Sequence, residues 1–320
     1  MDTLADVSPK WEALRKGLDQ IILGQEPVKE QVLVALLAGG HTLLEGVPGT
    51  GKTLLVLAVS RLLGCRFRRI QFTPDLMPAD LLGANIFNPK TQEFSFAQGP
   101  VFTDVLLADE VNRTPPRTQA ALLEAMQEAA VTIDGVRRVI SPVFTVFATQ
   151  NPVEFEGTYP LPEAQRDRFM VKVEIGYPAA TDEGRMLESY AAGRRLHDDL
   201  VSALEPVMSL EELSDSRRLV AHSVRVDANV LEYILQLVTR TRQDEAVQIG
   251  AGPRASLALL ETSRALATLR GRDFVTPDDI KEMAPAVLRH RVMLTPESEM
   301  EGTALEDVLT RIFEQVEVPR

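Results

Sequence analysis

Cysteine is almost missing from this chain, and the single one, Cys65, excludes an internal disulfide framework. A reducing compartment fits. No apolar run approaches the roughly 18 to 20 residues that a membrane-crossing helix needs, and the opening MDTLADVSPKWEALRK has an acid at its second position and no apolar core of the kind a secretory leader carries. A cytoplasmic protein with no membrane insertion is expected. Positive charge is also short: 34 Lys and Arg stand against 46 Asp and Glu, and the net charge of -12 disfavours a surface built mainly to track nucleic-acid phosphates. His41, His197, His222 and His290 are scattered without metal-ligand spacing, which favours packing or surface roles. No G-x-S-x-G elbow occurs, and Cys65, with no histidine near it in sequence, reads as a small buried side chain in a strand. Low-complexity tracts and repeats of 20 to 50 residues are missing too, which argues against a solenoid.

What is present is enough apolar sequence, 45% of 320 residues, for one sizeable core and a second smaller one. KWEALRKGLDQII has helical spacing, with Trp11, Leu14 and Leu18 on one face, and a second helix follows and is stopped by Gly39-Gly40. HTLLEG, CRFRRIQF, VLLADE, VFTVFATQN and FMVKVEI are strand-like, while KTLLVLAVSRLLG and RTQAALLEAMQEAA are helical. The alternation implies an α/β fold with a parallel sheet covered on both faces. From about residue 181 the texture changes to amphipathic helices, among them VLEYILQLVTRTR, RASLALLETSRALATLRG and TPDDIKEMAPAVLRHRV, the last with Thr276 as N-cap and Pro277 at the first helical position. The division predicted is an α/β domain over 1–178 and a smaller all-α domain over 179–320.

Between HTLLEG and its following helix lies GVPGTGKT, Gly46 to Thr53, the phosphate-loop pattern in which glycines let backbone N–H groups turn onto phosphate oxygens at a helix N-terminus. Nucleotide contacts are expected from Gly46, Pro48, Gly49, Thr50, Gly51, Lys52, Thr53 and Leu54. Lys52 would reach the β and γ phosphates, and Thr53 would hold Mg²⁺ through its hydroxyl. VLLADE then ends a buried strand with Asp109, suited to a Mg²⁺ shell, and Glu110, suited to polarising an attacking water. FATQNP closes another strand with Asn151, either an orienting group for that water or a turn residue before Pro152. PEAQRDRF carries Arg166 and Arg168, and a guanidinium there could serve the γ-phosphate of a neighbouring subunit. Arg254 in GAGPRAS opens a helix, where it could equally pair with acids.

The ordered set resembles the MoxR family of AAA+ ATPases over nearly the whole chain. IILGQEPVKEQVLVALLAGGHTLLEGVPGTGKT is similar to that family's opening, LLADEVNRTPPRTQAALLEAMQE to its Walker B segment, FATQNPVEFEGTYPLPEAQRDRF to sensor 1 through the arginine finger, and GPRA to sensor 2. The resemblance implies Asn151 as sensor 1, Arg168 as a finger acting in trans, Arg254 as a sensor 2 reading the γ-phosphate from the lid, and Ile22, Leu23 and Gln25 at the adenine. Two departures stand out. The family usually reads AQLDRF, so Arg166 gives a second arginine for the finger role, and Arg117 stands where lysine is common. The placing of Arg168 before Phe169 matches the motif; a share for Arg166 stays open.

NIFNPKTQEFSFAQGP is similar to the helix-2 insert of this clade, and AAVTIDGVRRVISP, with Asp134-Gly135 between β-branched residues, to the hairpin before sensor 1. What the resemblance implies is a Mg²⁺-dependent ATPase cycling between ATP and ADP in a homo-oligomeric, hexameric ring. Its work would be to remodel a protein client with a von Willebrand factor A domain partner, in chaperone-like maturation, complex assembly or metal insertion. The alternatives are a nucleic-acid motor of the same clade, for which Arg137 and Arg138 are the local hint, a metal-chelatase ATPase subunit, and a nucleotide-gated scaffold that hardly cycles.

Overall fold

VLLAD and TVFATQ are apolar on both faces of a strand, and such strands need cover above and below. The computed structural model describes residues 3–152, 157–193 and 201–319 and supplies that cover. His197 and residues 153–156 of the FATQNPVEFEGTYP stretch lie outside the described residues. The strands of the first part are β1 (Thr42–Glu45), β2 (Phe67–Gln71), a hairpin of β3 (Gly83–Asn88) and β4 (Glu93–Gln98), β5 (Val105–Asp109), a second hairpin of β6 (Ala130–Ile133) and β7 (Val136–Val139), β8 (Thr145–Gln150) and β9 (Val171–Glu174). Five of them form one parallel sheet in the order β2-β5-β8-β1-β9. The chain therefore turns back on itself around β1, and the carboxyl ends of β1, β5 and β8 open on one edge, where α/β sheets take ligands.

The helices of this first part are α1 (Leu4–Asp19), α2 (Glu26–Leu37), α3 (Lys52–Leu62), α4 (Pro78–Leu82), α5 (Pro116–Glu128) and α6 (Glu163–Arg166), and α7 (Ala180–Ala191), none of whose residues is buried, follows β9. Side chains alternate across the sheet, as strand geometry requires. Leu43, Leu106, Val146 and Ala148 meet Leu122 and Met126 of α5. Leu44, Leu107 and Phe147 go the other way, into a cluster with Val56 and Val59 of α3 and Leu36 of α2.

That second cluster continues into the helical region, where the described residues include α8 (Leu210–Ser223), α9 (Ala228–Thr241), α10 (Pro253–Leu269), α11 (Pro277–Leu288), α12 (Pro296–Met300) and α13 (Leu305–Gln315). Trp11, Leu14 and Leu18 of α1 share one apolar core with Leu237, Leu259 and Met283. Helices α1 and α2 both pack on α10. Thr276 caps α11 as its sequence predicts, exchanging bonds with Asp279, whose carboxylate also takes Arg272 at 2.5 Å.

Two details differ from the sequence reading. The helical region is not purely helical: β10 (Val247–Ile249) pairs antiparallel with β11 (Met293–Leu294), and strands of three and two residues are too short to show a period. Cys65 lies in the turn between α3 and β2 rather than in a strand, half-buried, and burial pushes its thiol up to about 12.

The two hairpins form where the turn residues put them and touch each other. Asn85 donates to the Asp134 carboxylate at 2.5 Å, and the Arg138 guanidinium sits 4.0 Å over the Phe96 ring. Each hairpin alone would be marginal, so these bridges matter to their order. Ile86, Phe87 and Phe94 remain exposed on the first hairpin, and Val136 and Val139 on the second.

Candidate functional site

The loop after β1 is shaped by its glycines. A Cβ on Gly46 would stand 2.3 Å from the Ile175 carbonyl oxygen, so the backbone can pass there only without a side chain. Gly49 and Gly51 have φ of +83° and +86°, left-handed conformations that glycine takes without steric cost. Lys52 opens α3 and donates to the carbonyls of Gly46 at 2.7 Å and Val47 at 2.8 Å. Burial pushes its pKa down, and the charges of Asp109 and Glu110 pull it back.

A cavity of about 390 Å³ opens above this loop. Gly46, Pro48, Gly49, Thr50, Gly51, Lys52, Thr53 and Leu54 line it together with Asp109, Glu110 and Asn151, so three separate sequence stretches meet at one place. Asp109 ends β5, and its Oδ1 accepts the Thr149 hydroxyl at 2.5 Å. The same hydroxyl accepts the Glu110 N–H at 2.8 Å, which fixes Glu110 in a left-handed turn at φ +58°. Glu110 Oε2 accepts Gln71 at 2.6 Å and Arg113 at 2.9 Å. Asn151 is buried at the end of β8.

Among the described residues no cluster of three or more His, Cys, Asp or Glu could hold a metal alone. The Thr53 hydroxyl and the Asp109 carboxylate nonetheless line one cavity beside a phosphate loop. Two hard oxygen donors fit Mg²⁺, which keeps water and takes its remaining ligands from phosphate.

The other residues singled out in the sequence lie elsewhere. Ile22 is buried in the main core, Leu23 is half-buried, and Gln25 donates to the Gly176 carbonyl at 3.3 Å. This stretch borders residues 175–176, whose backbone also presses on Gly46, but it does not line the 390 Å³ cavity. Neither do Arg168 and Arg254. They line a second cavity, of about 310 Å³, together with Asp167, Glu261, Arg291 and His41. Arg168 donates to the Leu123 carbonyl at 3.0 Å, and Arg254 stands 3.7 Å from Asp167. Buried Arg291 holds the Asp167 carboxylate at 2.8 Å and donates to the carbonyls of Phe169 and Met170, which ties this segment to the end of α11. Arg166 pairs with Glu163 at 3.6 Å and faces a third cavity that it shares with Asn151 and Glu45.

The signature of the ATPase family associated with various cellular activities (AAA) matches residues 41–171, and that of the AAA lid domain matches residues 239–312. The chain is 46% identical to the uncharacterized protein YeaC of Bacillus subtilis, over 98% of this chain and 96% of that one. It is 42% identical to the chaperone MoxR1 of Mycobacterium tuberculosis, over 94% of this chain and 80% of the relative. The chain belongs to the MoxR family of AAA+ ATPases. A solved structure from Cytophaga hutchinsonii, described as a candidate ATPase, superposes with a TM-score of 0.89 at 36% identity, covering 98% of this chain and 96% of the other.

Three side chains of this MoxR-family site escaped the sequence reading: Arg69, Gln71 and Thr149. Arg69 gives Asp109 Oδ2 two N–H groups, at 2.5 and 3.1 Å. Gln71 holds Glu110. A signal existed in CRFRRIQF, where Arg69 and Gln71 alternate on one face. What was missing was the neighbour, because the pairing of Gln71 with Asp109 in register is a fact of the sheet.

His41 and His290 are packing residues. Val146 N–H donates to His41 Nδ1 at 3.0 Å, so the ring is neutral and its Nε2–H donates to the Met126 carbonyl at 3.0 Å. Burial pushes the His41 pKa down to about 4, and burial holds His290 well below the usual imidazole value.

Proposed function

We propose that this chain is a Mg²⁺-dependent ATPase that works as a cytoplasmic ring, most simply a hexamer, and uses ATP cleavage to remodel a protein client. Residues 1–178 serve as the nucleotide-binding domain and 179–320 as the lid. Lys52 and the loop N–H groups bind the phosphates, and Thr53 with Asp109 would hold Mg²⁺. The ion, when bound, neutralises charge that develops on the phosphate oxygens. Glu110 takes up and polarises the attacking water, and Asn151 orients it. Phosphoryl transfer leaves little covalent work to the protein, so positioning and charge set the rate.

The observation that carries the ring is the separation of the two arginines from the phosphate cavity. Arg168 and Arg254 share a cavity of their own, and the Arg254 side chain is 52% exposed. A guanidinium that does not line its own chain's phosphate cavity is suited to the phosphates of a neighbour, so both residues are assigned in trans. Arg254 then reads the γ-phosphate across the boundary rather than from its own lid. The shared core of α1, α2 and α10 supports the same assignment, because a lid packed into that core is poorly placed to close over its own nucleotide.

The exposed apolar hairpins and the acidic balance support a protein partner over a nucleic acid, and a von Willebrand factor A domain protein is the partner that the family resemblance suggests. The test is phosphate release by Lys52→Ala, Arg168→Ala and an equimolar mixture of the two. Each variant alone should be inactive, and the mixture should recover part of the turnover because some boundaries pair an intact loop with an intact arginine. No recovery in mixed, assembled rings would refute the trans assignment.

A further inference from the structure

The phosphate cavity holds a cation that no phosphate-loop pattern accounts for. Arg69 leaves edge strand β2 on the face shared with Asp109, and its guanidinium lies against Asp109 Oδ2. The other oxygen, Oδ1, is taken by the Thr149 hydroxyl. An ionised carboxylate has about four lone-pair positions, so three N–H or O–H groups already use most of this one. Mg²⁺ bound to Asp109 would put two positive charges within a few ångströms of the guanidinium, and like charges at that range in a partly enclosed site repel. Arg69 can yield: its side chain is 49% exposed, and its other polar contact, to Gln71 Oε1, is a long 3.4 Å. Arg68, one residue away on the opposite face, donates to the Gly99 carbonyl and has no part in the cavity.

We infer that Arg69 is a positioning residue that competes with the metal for Asp109, holding the carboxylate until Mg²⁺-nucleotide displaces it and so setting the Mg²⁺ concentration at which nucleotide is taken up. The exchange also reaches Glu110. Gln71 touches Arg69 through its carbonyl and Glu110 through its amide, so release of Arg69 loosens one anchor of the group assigned to the water. This inference rests on the ATPase reading above.

The test is a binding measurement. A fluorescent ADP analogue is titrated with Mg²⁺ against full-length wild type, Arg69→Gln, Arg69→Lys and Arg68→Gln, and the affinity in excess chelator is measured alongside. Arg69→Gln should lower the Mg²⁺ midpoint by about 3- to 10-fold, the scale of a half-exposed charge-assisted pair, while affinity in chelator does not improve. Arg69→Lys, which offers a single-pronged and more mobile charge, should fall between, and it serves as the test if the glutamine variant does not fold. Arg68→Gln should leave the midpoint in place. A midpoint that stays or rises in folded Arg69→Gln and Arg69→Lys would overturn the competition and make Arg69 a support of the metal site. A wild type that binds no nucleotide at any Mg²⁺ concentration would instead sink the ATPase reading, and this inference with it.

Discussion

The phosphate cavity is framed by a loop backbone and by acids at strand ends, whereas the arginine cavity is framed by His41, the end of α5, the segment before β9, the first half of α10 and Arg291 just after α11. Their volumes are close, about 390 and 310 Å³, but their construction is not. In the first, position comes from backbone conformations that only glycine adopts freely, so a short run of sequence specifies the site. In the second, position comes from Asp167 and Arg291, residues 124 apart in the chain. One cavity is a local motif and the other a tertiary agreement, so damage to each should look different.

The sharpest way to break this contrast is to remove the two cations that define it. Arg168→Ala should lower turnover by roughly 10³-fold or more, the scale of a trans arginine, with nucleotide affinity nearly unchanged. Lys52→Ala should lose both. Equilibrium binding of a fluorescent nucleotide beside phosphate release separates them, and equal loss of binding in the two variants would erase the distinction.

Next comes Asp167→Ala, which leaves buried Arg291 without its carboxylate. A lost charge-assisted hydrogen bond costs about 2 kcal/mol, and chemical denaturation should show a loss of that size. The phosphate cavity should keep its nucleotide affinity. If affinity falls in step with stability, the two cavities are not separable.

Acid should strike the arginine side as well. His41 lines that cavity with a pKa near 4 in the fold, against an ordinary value of 6.5. The unfolded chain binds the proton more readily, so this contribution to stability is intact above pH 6.5, declines as pH falls from 6.5 and is fully lost below 4. Between pH 7 and pH 5 the loss should be about 2 kcal/mol, measured by urea unfolding at the two values, and His41→Gln should flatten that slope. The smallest effect expected is at the hairpins, where Arg138→Ala removes the contact over Phe96 for about 0.5 to 1 kcal/mol, visible as a small fall in melting temperature with basal turnover intact.

Much of the fold could be read from the chain because the signals were local. Strands appeared in VLLADE and FATQN as apolar runs, Thr276 and Pro277 announced α11, and Asp134-Gly135 announced a hairpin, each from neighbours within a few residues. Gly46, Lys52, Asp109 and Asn151 fell on elements whose carboxyl ends a parallel sheet must gather on one edge. Arg69 and Thr149 were not legible as site residues: Arg69 stands outside every motif, Thr149 sits inside FATQNP with nothing local to mark its hydroxyl, and the importance of both comes from which strand lies beside β5.

By itself, the sequence settled the family, the phosphate loop, the acids behind it and the strand and helix alternation, because each depends on short-range backbone preference and spacing. Only the tertiary structure decided that Arg168 and Arg254 stand together and apart from the cavity at the phosphate loop, that Asp109 is held by Arg69, and that α1 and α2 share a core with the helical region. Those facts depend on which distant surfaces pack. Packing is chosen by the whole chain's burial of apolar area, and no local window contains it.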